Sequence, residues 1–286
     1  TYDSQTLEPV RALAESFQKS KDGKTWTFTI RANAKWADGS PITAQDFVES
    51  WLYLLAPETK GEYAVFLEII KGAKQYRAKS GVSPSTVGIR AEDEHTLTVE
   101  LVAPAAYFTR LLCHGAFVPV HPSLRGKRVW KPEDVIGNGP YRLVSVSDEE
   151  MIFTKSDTYW DRSSVSIPRI RAVFIKTDDE GSQRYNDGEV HWITDTVNID
   201  SLLVPEDIQY APMFGTGYFF WNSGRSPWKD SRVRRALALL VPWSEIRNAE
   251  DYYTPTATLI LPFEGYESPT GIIQPNAAEA MALLKA

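Results

Sequence analysis

A chain of 286 residues that is 43% hydrophobic and 24% charged can bury a large core and is too apolar to be disordered. No run approaches the ~18 consecutive apolar residues of a membrane span. A net charge of −6, with no cluster of Lys and Arg to offset it, argues against a nucleic-acid footprint. Cys113 is the single cysteine, which rules out an intramolecular disulfide.

In chain order, the first strong signal is residues 25–30. Trp26, Phe28 and Ile30 alternate with Thr25, Thr27 and Thr29, which predicts a strand with one apolar face. Asp38-Gly39-Ser40-Pro41 is turn chemistry, because Gly accepts a positive φ and Pro fixes its own. Thr43 followed by Asp46 predicts a capping box. Phe47, Trp51 and Leu55, with Val48 and Leu52 beside them, predict the apolar face of a helix. Residues 57–95 mix helix-like and loop-like sequence, with 81–85 as a surface loop. Alternation returns at residues 96–101, placing Leu97, Val99 and Leu101 on one face. Residues 140–155 and 167–176 read as further strands, separated by a turn at Tyr159-Trp160-Asp161. Asp230 is the expected N-cap of a helix carrying Val233, Ala236, Leu237 and Leu240, which Pro242 ends. Asn276 is expected to cap a last helix over 277–286. Internal repeats and low-complexity tracts are absent. The chain opens on Thr1 with no signal-like segment, so a mature or trimmed product is expected.

Residues that could carry chemistry are few. Cys113-His114 invites a nucleophile–base reading, but neighbours on a strand or helix point apart. In the run Leu111-Leu112-Cys113 the thiol reads instead as a small buried hydrophobe. His95, His114, His121 and His191 lack the short spacings of zinc helices, leaving metal ligation only to tertiary assembly. Gly137-Asn138-Gly139 lacks a third Gly and a following helix, so a turn is expected rather than a phosphate loop. The acidic clusters Glu92-Asp93-Glu94, Asp148-Glu149-Glu150 and Asp178-Asp179-Glu180 read as solvated turns, without the spacing of calcium or glycosidase sites. Tyr218-Phe219-Phe220-Trp221 reads as a cleft strand or crossover, or else as core packing.

Several phrases together resemble the extracytoplasmic solute-binding proteins of ABC importers, in the branch that binds oligopeptides, dipeptides and nickel. They are Leu13-Ala14-Glu15-Ser16-Phe17, the strand from Trp26 to Arg31, and the turn and helix from Trp36 to Trp51. Gly137-Asn138-Gly139-Pro140-Tyr141, Tyr159-Trp160-Asp161 and the segment from Arg184 to Val190 follow in the family's order. Asn222, Pro227-Trp228, Asp230, Arg232-Val233-Arg234 and Ala236-Leu237 complete the set. The likeness is greatest to the oligopeptide-binding branch.

That resemblance implies an α/β, type II periplasmic-binding-protein fold, in which two lobes close on a ligand. Residues 1–12 and 140–215 would form a mixed-sheet core of lobe one and 13–139 its extra subdomain. Residues 216–286 would open a second lobe that is mostly absent, making this a partial chain. The implied function is capture of extended oligopeptides and delivery to an ABC permease and ATPase in the cell envelope. No catalysis, cofactor, metal or nucleic acid is implied, and the membrane enters only through a lipid anchor or the permease. The family's ligand-facing positions fall on Tyr63, His114, Thr194, Asp195, Tyr218 and Phe220, although a packing role for His114 stays open. The chain departs from the family at Phe220, where some oligopeptide binders carry an acid, and at Leu240-Val241-Pro242-Trp243-Ser244-Glu245-Ile246, which replaces the usual A-x-D-R-x-x-I. Receptors for another solute (a dipeptide, a nickel chelate or an oligosaccharide), a surface adhesion or signalling protein of the same fold, and a thiol or metal hydrolase are the alternatives.

Overall fold

The computed structural model describes residues 1–3, 5–78, 81–127, 131–195, 197–210, 215–248, 254–261 and 265–285. They fall into two compact units, Thr1–Thr177 and Asp178–Ala286.

The first unit holds two antiparallel sheets. Strands β1 (Ala14–Lys19), β2 (Thr25–Ile30), β3 (Ile89–Ala91) and β4 (Thr96–Glu100) pair in the order β1-β2-β4-β3. A register shift between Ala14 and Ser16 marks a bulge at the start of β1. The predicted alternation of β2 is realised, with Trp26, Phe28 and Ile30 buried. Opposite them on β4, Trp26 pairs with Val99 and Phe28 with Leu97, so both apolar faces fall on the same side of the sheet.

Helix α1 (Ala44–Leu55) covers that face with Phe47, Val48, Trp51 and Leu55. Its start is sealed as predicted, since the Asp46 carboxylate accepts both the Thr43 amide N–H (2.8 Å) and the Thr43 hydroxyl (3.0 Å). An acid here also meets the positive end of the helix dipole. The indole N–H of Trp51 donates to the Phe117 carbonyl at 3.0 Å, and Ser50 accepts the Val120 amide at 2.8 Å. These two bonds tie α1 to the segment after α3 (Phe108–Leu111). Between them in sequence, a 3₁₀ helix (Glu62–Ile69) and α2 (Ala73–Ala78) occupy the stretch that read as mixed helix and loop.

The second sheet, β5 (Tyr141–Val146), β6 (Glu150–Lys155) and β7 (Arg169–Val173), is a meander in chain order. Several of the phrases that carried the resemblance are joints between these parts. In the turn before α1, Ala37 donates to the carbonyl of Gly137 at 2.8 Å. The Arg31 guanidinium lies 3.9 Å over the Trp160 ring while its Nε donates to the Ala12 carbonyl at 2.6 Å. Within the turn itself, Asp38 accepts the Ser40 hydroxyl (2.6 Å) and amide (2.9 Å), which hold its carboxyl below the usual carboxylate range.

In the second unit, α4 (Asp178–Asn186) begins on Asp178-Asp179-Glu180. That corrects the expectation of a solvated turn: three acids satisfy the positive end of a helix dipole as readily as they solvate a loop. Helix α5 (Ser231–Leu240) is N-capped as predicted, by Asp230 accepting the Arg232 amide at 2.8 Å. It ends at Val241, before Pro242, and α6 (Trp243–Arg247) follows. The last helix, α7 (Ala277–Lys285), is capped by Asn276 accepting the Glu279 amide at 3.0 Å; Ala286, expected at its end, lies outside the described residues. Ala236, Leu239 and Ala280 form the small apolar seam between α5 and α7, flanked by the Arg235–Glu279 ion pair (2.9 Å).

Candidate ligand-binding site

Tyr63 and His114 are brought together in the first unit. Tyr63 lies on the 3₁₀ helix Glu62–Ile69 and His114 at the N-cap of the 3₁₀ turn Gly115–Phe117. Their ring centroids are 5.0 Å apart. Phe66 completes the cluster, 4.7 Å from His114 and 5.9 Å from Tyr63. Sequence reasoning missed Phe66, and its spacing was the available signal. Residues three apart eclipse on a 3₁₀ helix, so Tyr63 and Phe66 present one stacked aromatic surface. Half of Tyr63 is exposed (51%), which leaves a flat apolar face beside the imidazole.

His114 and Cys113 do not act as a dyad. The imidazole Nδ1 accepts the Ala116 amide N–H at 3.1 Å. The Cys113 thiol points to the carbonyls of Thr1 (3.4 Å) and Thr109 (3.5 Å). It is half-buried rather than the fully buried hydrophobe expected, because its S–H finds backbone acceptors at the surface.

Thr194 and Asp195 lie in an exposed bend of the second unit. The segment just after them is clasped to α4 by Ser182, the buried polar side chain of that helix. Its hydroxyl lies 2.7 Å from the Asn198 carbonyl and accepts the Asn198 amide at 2.9 Å. Ser182→Ala would leave the Asn198 carbonyl without that donor and its amide with only the Asp178 carbonyl, at 3.2 Å. We expect a loss of about 1–3 kcal/mol in local stability, read as faster hydrogen exchange at the Asn198 amide; unchanged exchange would refute the clasp.

Tyr218 and Phe220 sit with ring centroids 6.3 Å apart. The run Tyr218-Phe219-Phe220-Trp221 is neither strand nor core: it has no regular secondary structure, and Phe219 and Phe220 are 74% and 80% exposed. A short apolar run cannot by itself distinguish these states. Tyr218 also lines a cavity of about 350 Å³ with Gly215, Thr216 and the apolar wall Leu259, Ile260 and Leu261. A larger cavity of about 770 Å³ in the first unit borders Phe17, Phe28, Phe47, Trp51 and Cys113, and none of the six predicted residues lines it. Among the described residues, no three His, Cys, Asp or Glu side chains cluster as metal ligands, and no helix is long and apolar enough to cross a membrane.

Residues 8–286 match the family described as bacterial extracellular solute-binding proteins, family 5 (middle region). The chain belongs to that family. Members of family 5 are solute-binding proteins, and two similar ones illustrate how far the likeness reaches. The dipeptide-binding protein DppE of Bacillus subtilis is 31% identical over 97% of this chain and 54% of its own length. Among solved structures, the oligopeptide-binding protein OppAIV of Borrelia burgdorferi superposes with a TM-score of 0.85 at 27% identity, covering 96% of this chain and 56% of that one. Haemophilus influenzae OppA, solved in complex with the peptide RPPGFSPFR, gives 0.78 at 25% identity, covering 96% and 57%. This chain therefore has the type II periplasmic-binding-protein fold of family 5 and spans about half the length of the curated relatives it matches.

Proposed function

We propose that this chain is part of a receptor that captures extended oligopeptides outside the cytoplasmic membrane and hands them to an ABC permease and its ATPase. The observation that carries the reading is the likeness of nearly the whole chain to peptide-binding members of family 5, one of them solved with a bound peptide. In this reading residues 1–12 and 140–215 belong to the core of lobe one, 13–139 to its extra subdomain and 216–286 to the start of lobe two. Tyr63, His114, Thr194, Asp195, Tyr218 and Phe220 contact the ligand. Affinity comes from pairing of peptide backbone with protein, and hydrated pockets tolerate varied side chains. Closure of the lobes then presents the surface that the permease recognises. No bond is made or broken, so neither nucleophile nor cofactor has a role, which agrees with a thiol and an imidazole engaged separately by backbone groups.

Phe220, 80% exposed, adds apolar surface where some oligopeptide binders place an acid. It favours apolar over basic ligand groups at that point. The test is native mass spectrometry of the full-length protein as purified, with fragmentation of whatever it releases. A mixture of masses that fragments into amino-acid ladders is the expected outcome. A single non-peptide mass would replace the substrate class and retain the fold.

A further inference from the structure

Of the proposed ligand contacts, His114 is the one whose proton the fold assigns to a particular atom. The Ala116 amide can only donate, and it points at Nδ1 from 3.1 Å. Nδ1 is therefore unprotonated, and the neutral ring carries its proton on Nε2. Tyr63 and Phe66, at 5.0 and 4.7 Å, flank the ring in that orientation. Among the described residues the Ala116 amide is the ring's one hydrogen-bond partner. Nε2 has no hydrogen-bond partner among the described residues and is not fully buried, so its N–H remains available to a ligand atom.

We propose that the two ring nitrogens have separate duties: Nδ1 holds the turn Gly115–Phe117, and Nε2–H is a fixed donor that selects a carbonyl or carboxylate oxygen of the ligand. This rests on the peptide-receptor reading. A ligand N–H at the same point would meet another donor, leaving two polar groups unpaired, and would be rejected. An extended peptide offers a backbone oxygen at regular intervals, and Tyr63 supplies an apolar wall beside the one that is bound.

Two near-isosteres separate the duties. Asparagine can place its side-chain oxygen near Nδ1 but reaches no further, whereas glutamine can place its amide near Nε2. Binding of RPPGFSPFR and of alanine oligopeptides to the full-length protein, by calorimetry, should be about tenfold weaker in His114→Asn, with Tm close to that of the parent. His114→Gln should recover most of that lost affinity while its Tm falls, because the turn loses its cap. In the ligand-free protein, nitrogen-15 shifts of His114 should show a protonated Nε2 and an unprotonated Nδ1. Parent-like affinity in His114→Asn, or a protonated Nδ1, would overturn the inference and leave the receptor reading standing. A parent protein that binds none of these peptides would overturn both.

Discussion

Trp51→Ala is expected to lower the unfolding free energy by about 3–5 kcal/mol, and Trp51→Phe by about 1–3 kcal/mol. Trp51 is 2% exposed on the inner face of α1. Its indole meets Phe47 and Phe117 edge to face, with centroids 6.2 and 5.4 Å away. Truncation removes the largest side chain joining the helix to the sheet and leaves a void that the aromatic neighbours cannot fill without leaving their rotamers. It also strips the Phe117 carbonyl of the N–H bonded to it at 3.0 Å. Phenylalanine keeps most of the packing and loses that bond, so the gap between the variants separates ring volume from carbonyl satisfaction. Denaturant midpoints at constant m-value are the measurement. An alanine variant within about 1 kcal/mol of the parent would mean that Trp51 does not anchor α1.

The second large effect is expected at a glycine. Gly72 has φ +75°, and a Cβ there would lie 2.3 Å from the Thr86 carbonyl oxygen and 2.9 Å from its carbon. Those atoms are backbone and cannot rotate away. Moving them displaces Val87, which is 2% exposed in the core. The left-handed conformation alone costs a non-glycine residue about 1–2 kcal/mol. With the forced displacement added, Gly72→Ala should cost about 2–5 kcal/mol. Gly39→Ala is the matched control. Its φ is +89°, yet nothing lies within 4 Å of the added atom, so only the conformational penalty should appear. Equal losses at the two positions, in the same denaturation experiment, would show that the close approach at Gly72 carries no weight.

The first of these variants bears on what the family-specific phrases do. Trp51 closes the longest of them, and within the first unit Arg31 meets Trp160 and Ala37 meets Gly137. The residues that make the resemblance specific are thus mainly those that join sheet, helix and turn. The proposed ligand contacts lie on less distinctive sequence: an aromatic in a 3₁₀ helix, an imidazole at a turn and an exposed aromatic run. A binding fold can keep its framework and change its ligand by altering such positions.

Legibility in the sequence follows the range of the interactions involved. The alternation of residues 25–30, the Thr43–Asp46 cap, the Asp230 and Asn276 caps and the stop before Pro242 were readable because each depends on groups within about four residues. Asp178-Asp179-Glu180 was misread because acids suit a solvated turn and a helix start equally; the helix they open docks against Asn198 through Ser182. The strand and core readings of the run at 218–221 failed because four apolar residues carry no usable period. The sequence by itself determined β2, α1, α5 and α7 with their caps, and the family. The tertiary structure alone decided that Tyr63 and Phe66 meet His114, and that Gly72 has no room for a Cβ. Each of those outcomes depends on atoms distant in sequence arriving within a few ångströms, and no local pattern encodes that.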